Sequence, residues 1–255
     1  MGFGNPGHYY NLAVLLKVKF DIVEVWHDQE DQMFDILKGK PTPPRLQIRD
    51  TLFGDIPMSQ FLPVSPDPQI LEPMASFQRT RQMIDAGDTH GAIQVFRQIL
   101  DMPDLESRLS LQAWQFLRDL GVNPSQEDGK VLFGVVVEVG MPKGPDLVAA
   151  YSDHTARYYN FSGAGVIWER PNDLIDGAID DLLGVGKTIV EMVGVWKENR
   201  PAPPPSGYAR VNFLTPGGLR FGQGRLDVLG NDRLGGPVIA SAFKLMQELI
   251  QLTKK

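Results

Sequence analysis

No cysteine occurs in the 255 residues of this chain, which excludes a disulfide framework, thiolate metal ligation and a thiol nucleophile, and suits a reducing cytosol. Long apolar runs are missing as well. The longest, Val131 to Val137, stops at Glu138, far short of the roughly 20 residues that cross a bilayer. Met1 to Gly7 carries neither a basic nor an apolar signal region, so a cytoplasmic protein without membrane contact is expected. Positive charge is not in excess: residues 1–125 hold 11 basic against 16 acidic side chains and residues 126–255 hold 14 against 15, for a net charge of −6. Nucleic acid is therefore not an expected partner. Histidine is scarce, with four in all, and none has zinc-ligand spacing: Asp31 stands four residues after His27, and His8 and His90 lack nearby partners. No metal and no cofactor are expected. What is present, 42% apolar and 22% charged residues, is the composition of a folded chain with a sizeable core.

Leu12, Leu15 and Leu16, then Ile22, Val23, Trp26, Met33, Phe34 and Leu37 recur at helical spacing and predict two short helices, the second begun by Asp21 and closed by Gly39. Eight prolines between residues 40 and 73 exclude a continuous helix or a central strand and predict a long surface crossing. Helical spacing returns at Phe77, Met83 and Ile84, at Ala92, Ile93, Phe96 and Ile99, and at Leu105, Leu109, Ala113, Trp114, Phe116 and Leu117. Gly87 suits a left-handed helix terminus and Asp88 the cap of the next helix.

Gly87-Asp88, Ala92, Phe96 and Pro103 resemble the second half of a tetratricopeptide unit, where a Gly-Asp turn precedes a small residue, an aromatic and a closing proline. The resemblance covers about residues 74–121 and implies a helical hairpin scaffold that presents a protein-binding surface. The alternative is an ordinary helical hairpin packed on its neighbour, which needs the same small and aromatic residues. The chain as a whole is similar to bacterial proteins of unassigned function, which implies no mechanism.

After Gly129 the period becomes that of a sheet. Val131 to Val139 is apolar on both alternating faces, as in a strand covered on both sides. Short turns at Pro142 to Pro145, Ser152 to His154 and Ser162 to Gly165 predict an antiparallel meander. A helix follows, begun by Asn172 or Asp173, with an apolar stripe from Leu174 to Trp196. Next comes a hairpin with strands from Tyr208 and Leu219, its turn at Pro216-Gly217 read as type II with positive φ at Gly217. A last helix opens at Pro237. The sequence thus predicts an α+β protein: an N-terminal helical part at 1–124 with the proline-rich crossing at 40–73, and a part at 125–255 ordered ββββαββα.

Several motifs invite chemistry. Gly184-Val185-Gly186-Lys187-Thr188 ends like a phosphate loop, but Asp181 replaces its first glycine and the segment lies inside a helical stripe. Ser162 lacks the glycines of a nucleophile elbow, since Asn160 and Ala164 stand there. Asp173, Asp176, Asp180 and Asp181 suit the start and outer face of a helix. His154 beside Asp153, at a turn where a side chain can face a cleft, is the candidate for general-base work. Arg210 and Asn212 alternate with Val211 and Phe213, and Arg220 alternates with Leu219 and Phe221, while Tyr158 and Asn160 share a face of another strand. Were these faces to coincide, two guanidiniums would grip a carboxylate, a phosphate or an acidic partner loop.

The function expected from these readings is a non-catalytic cytoplasmic adaptor or immunity-type protein whose partner is another protein. Trp26, Trp114, Arg210 and Arg220 are its expected contact residues, since Trp and Arg dominate interface energetics. A hydrolase using His154 and Asp153, and a small-ligand sensor with its pocket between sheet and helices, are the alternatives.

Overall fold

Valine fills β1 (Gly134–Met141) on both alternations, and the strand accordingly runs through the middle of a six-stranded antiparallel sheet. The structure, a computed structural model, describes residues 47–61 and 70–253. The paired helices predicted around Trp26 lie outside the described residues. β2 (Gly144–Tyr151), β3 (Ala156–Tyr159) and β4 (Gly165–Trp168) meander outward from one side of β1, and β5 (Tyr208–Thr215) with β6 (Gly218–Arg225) forms a hairpin on the other. The order is β4-β3-β2-β1-β5-β6. Because consecutive residues alternate in direction, Val135, Val137, Val211 and Phe213 share one face, and Val136, Glu138, Arg210 and Asn212 the other.

The helices are α1 (Met58–Phe61), α2 (Met74–Asp85), α3 (Thr89–Leu100), α4 (Ser107–Asp119), α5 (Asp176–Val190), α6 (Leu226–Leu229) and α7 (Gly235–Leu252). The protein is α+β. α5 and α7 cover the first face through Ile179, Leu182, Val238, Ala242 and Leu245. α2 and α3 meet at the predicted turn: Gly87 takes φ 84° and the Asp88 carboxylate accepts the Gly91 N–H at 2.9 Å. With α4 they enclose Phe77, Phe96 and Phe116, whose rings pack edge-on or tilted at 5.5–6.1 Å. Among the described residues no helix is long and apolar enough to cross a membrane.

The structure corrects the local expectations in three places. The crossing expected on the surface instead buries Arg49, Leu52 and Phe53, which form a short 3-10 turn (Ile48–Leu52) and its end and cover the sheet. The helix predicted to carry its stripe to Trp196 ends at Val190, where Arg220 donates to the carbonyls of Val190 and Val193 and so satisfies its open end. Trp196 instead lies along β6, its main-chain N–H donating to the Leu219 carbonyl at 2.7 Å. At the β5–β6 turn the positive φ, 121°, falls on Gly218 and not on Gly217. Gly217 serves clearance: a Cβ there would stand 2.6 Å from the Gly129 carbonyl oxygen. The Gly184 to Lys187 segment is inside α5, as its apolar stripe required.

Candidate functional site

The polar residues singled out on the strands do not form one surface. Arg210 and Asn212 share a face with Glu138, but Arg220 pairs with Phe213 and points to the other face, toward the end of α5. Tyr158 is also on the helix-covered face, in the core, with 2% of its surface exposed. Asn160 closes the loop after β3, its carboxamide oxygen accepting from the N–H and hydroxyl of Ser162 at 2.9 and 2.7 Å. The two-guanidinium surface is thus corrected: a register of period two places residues 210 and 220 on opposite sides.

What surrounds Arg210 is a buried ion cluster. Glu138 is wholly buried, and Arg49 binds it in a fork, Nε to Oε2 at 2.6 Å and Nη2 to Oε1 at 3.1 Å. Asn212, equally buried, donates Nδ2 to the same Oε1 at 2.9 Å, and Arg210 Nη1 lies 3.6 Å from it. Burial draws the Arg210 guanidinium below its ordinary pKa; Glu138 opposes this, and Arg49 and Arg200 add to it. The remaining donors hold a strap. Arg49 Nη2 and Arg210 Nη1 donate to the Pro201 carbonyl at 2.8 and 3.2 Å, and Arg210 Nη1 also to Ala202 at 2.8 Å. Pro201 to Pro205 then crosses β1 where Gly140 leaves room, since a Cβ there would be 2.1 Å from the Pro205 carbonyl oxygen. Arg210 is therefore a strap holder, 4% exposed, and not an outward grip.

Asp153 and His154 are sequence neighbours with separate partners. Burial works to raise the Asp153 carboxyl, but donors from the Ser107 N–H at 2.7 Å and from the Thr155 N–H and hydroxyl at 2.9 and 2.8 Å outweigh it and hold the pKa below the usual range. His154, at φ 61°, turns its Nε2 to Asp180 of α5 at 3.1 Å. This turn follows Tyr151, which pairs with Gly134, whereas Arg210 pairs with Glu138 four residues along β1. At about 3.3 Å per residue the two places are more than 12 Å apart along the sheet. Asp176 and Asp181 likewise have single cationic partners, Arg170 and Lys244.

An open cleft of about 470 Å³ lies on the other side of the hairpin turn, where α4, the loop at 53–55, the β5–β6 hairpin and the segment 195–200 meet. Its apolar lining includes Phe53, Leu111, Leu214 and Leu219, and its rim carries Trp196, Lys197, Glu198 and Arg118. Trp196 packs at a tilt against Phe221, ring centroids 5.1 Å apart, yet remains 37% exposed. Arg200 backs the cleft: its guanidinium lies 4.1 Å over the Phe53 ring and binds Asp55 and Asp50. Burial works against that charge, but the two carboxylates outweigh it and raise the pKa. Arg118, bonded to the Pro216 carbonyl and to Gln115, is lowered by burial, and burial raises the neighbouring Asp119.

Trp114 is half-buried against the phenylalanine core of the helices and does not line this cleft. Trp26 lies outside the described residues. The residues that build the cleft and the ion cluster, Arg49, Glu138 and Arg200 among them, carry no local sequence signal, since their hydrogen-bond partners are 74 to 152 positions away in the chain. The placement of Trp196 shows only in the tertiary contact with Leu219. The chain matches no protein-family model, no curated protein and no solved structure.

Proposed function

We propose that this is a non-catalytic binding protein, an adaptor or an immunity-type inhibitor, that takes a short segment of a partner protein into the cleft between α4, the β5–β6 turn and residues 195–200. The supporting observation is the combination of a largely polar cleft backed by Phe53, Leu111 and Leu214, an exposed tryptophan and a rim bearing both signs of charge. Interfaces of this kind draw most of their energy from a few aromatic and arginine anchors placed over apolar pockets. The rim charges Lys197 and Glu198 give orientation more than affinity. The resemblance of residues 74–121 to half of a tetratricopeptide unit supports the same reading, and the absence of cysteine suits a cytoplasmic setting.

The volume of about 470 Å³ also falls within the range of small-molecule sites, which supports a ligand sensor as the second reading. Affinity purification of the full chain from its native cell separates them. One stoichiometric protein, retained by Ile167→Ala on the far edge of the sheet and lost with Trp196→Ala, is the expected result. Recovery of no protein overturns the adaptor reading, and a metabolite released on denaturation, lost with the same variant, replaces it with the sensor.

A further inference from the structure

The two edges of the sheet are protected unequally. β4 has four residues and runs into Glu169-Arg170-Pro171, and Arg157 ties down its end through the Trp168 carbonyl at 2.9 Å and the Glu169 carboxylate. Shortness, charge and proline are the usual means of blunting an edge. β6 has eight residues, Gly218 to Arg225, with no proline or lysine. Its inward hydrogen-bonding positions alternate with Leu219, Phe221 and Gln223, as the Trp196 bond to the Leu219 carbonyl shows. Among the described residues no donor or acceptor reaches the main chain of Phe221 or Gln223 on the outer side. Gly222 and Gln223 are exposed.

We propose that the β6 edge is where two copies of this chain join, antiparallel about a two-fold axis at Gln223, so that two six-stranded sheets run on as one. The edge is complementary to itself in this register. Gly222 of one copy faces Gly224 of the other, so no side chain obstructs the seam on the helix-covered face. On the opposite face the Phe221 ring of one copy, which already lies under Arg210 and against Trp196, comes beside Arg225 of the other, whose guanidinium is held by Asp227. The end that carries exposed Trp196, next to Leu219, meets the end that carries exposed Val228. Leu219 is the residue the pairing leaves out, and its carbonyl already has a partner in Trp196.

Sedimentation of the full chain at tens of micromolar tests this, and a dimer is expected. A side chain at Gly222 would meet nothing within 4 Å in the single copy. Gly222→Lys should therefore keep the circular dichroism and melting of the parent while weakening the dimer about tenfold or more, as an edge lysine does. With no native cysteine, Gln223→Cys gives a single thiol on the axis, where facing residues stand about 5.5 Å apart, within disulfide reach. Mild oxidation should link that variant and leave Ile167→Cys on β4 unlinked. A monomer at this concentration overturns the proposal, including one that captures a foreign strand at β6. So does a dimer that tolerates Gly222→Lys and fails to link through Gln223→Cys. Gly222 does not line the cleft, so loss of the dimer and loss of the cleft partner are separate results.

Discussion

The two faces of the sheet solve the same burial problem in different ways. On one face β1 and β5 offer Val135, Val137, Val211 and Phe213 to α5 and α7, an apolar contact with Arg220 at its margin closing the end of α5. On the other, the same two strands offer Val136 and Leu214 at one end, under Leu52 and Leu111, and Glu138, Arg210 and Asn212 at the other, under the proline strap. An apolar face is indifferent to which groups cover it, provided that they fill space. A face with a buried carboxylate requires particular donors at particular places, because a buried charge without a partner is costly. The ion cluster thus fixes where residues 200–205 cross the sheet, and with them the segment that carries Trp196 and walls the cleft.

That difference can be broken from the polar side first. Glu138→Ala leaves Arg49 and Arg210 buried without their shared carboxylate and should cost about 4 kcal/mol in denaturant unfolding, the largest effect expected here. A double Arg49→Met, Glu138→Met variant, which leaves one buried guanidinium without its carboxylate where Glu138→Ala leaves two, should lose less than Glu138→Ala alone; an equal or greater loss would show that the cluster contributes more than mutual neutralisation. On the apolar face, Leu182→Ala should cost about 3 kcal/mol by leaving a cavity between α5 and the sheet. Its effect on partner capture should be nil at temperatures where it is folded.

Gly140→Ala sharpens the contrast further. The new methyl group would strike the Pro205 carbonyl, and displacing the strap should cost about 2 kcal/mol and loosen the cleft wall, seen as faster amide exchange at residues 195–200. The smallest effect belongs to the turn that ties the sheet to α4. The folded-state pKa of Asp153 lies below its unfolded value, so its contribution is present above the ordinary carboxylate range and is lost as pH falls through the folded value. Asp153→Asn should cost about 1 kcal/mol near pH 7. The variant and its parent should converge in stability in acid, and a gap that stays constant down to pH 2 would contradict this account.

How much of this was legible in the chain depends on the range of each interaction. The turn at Gly87-Asp88 and the buried character of β1 were written in neighbouring residues, because helix capping and strand alternation are decided within a few positions. The candidate site was less legible. Arg210 alternates with Val211 and so read as outward-facing, but alternation says only that it lies on the other face and not whether that face is covered. Asp153 and His154 are adjacent in sequence, yet a left-handed turn points them at different elements.

By itself, then, the sequence determined the α+β class, the ββββαββα order and which residues alternate on each strand, because these follow from local backbone preference and the periodicity of apolar side chains. The tertiary structure alone decided which face each guanidinium serves, what covers Glu138, and that Trp196 stands beside Leu219 at the mouth of a cleft. Those outcomes depend on strand register and on contacts between residues more than 20 positions apart, and nothing in a local stretch of amino acids encodes the geometry of its distant partner.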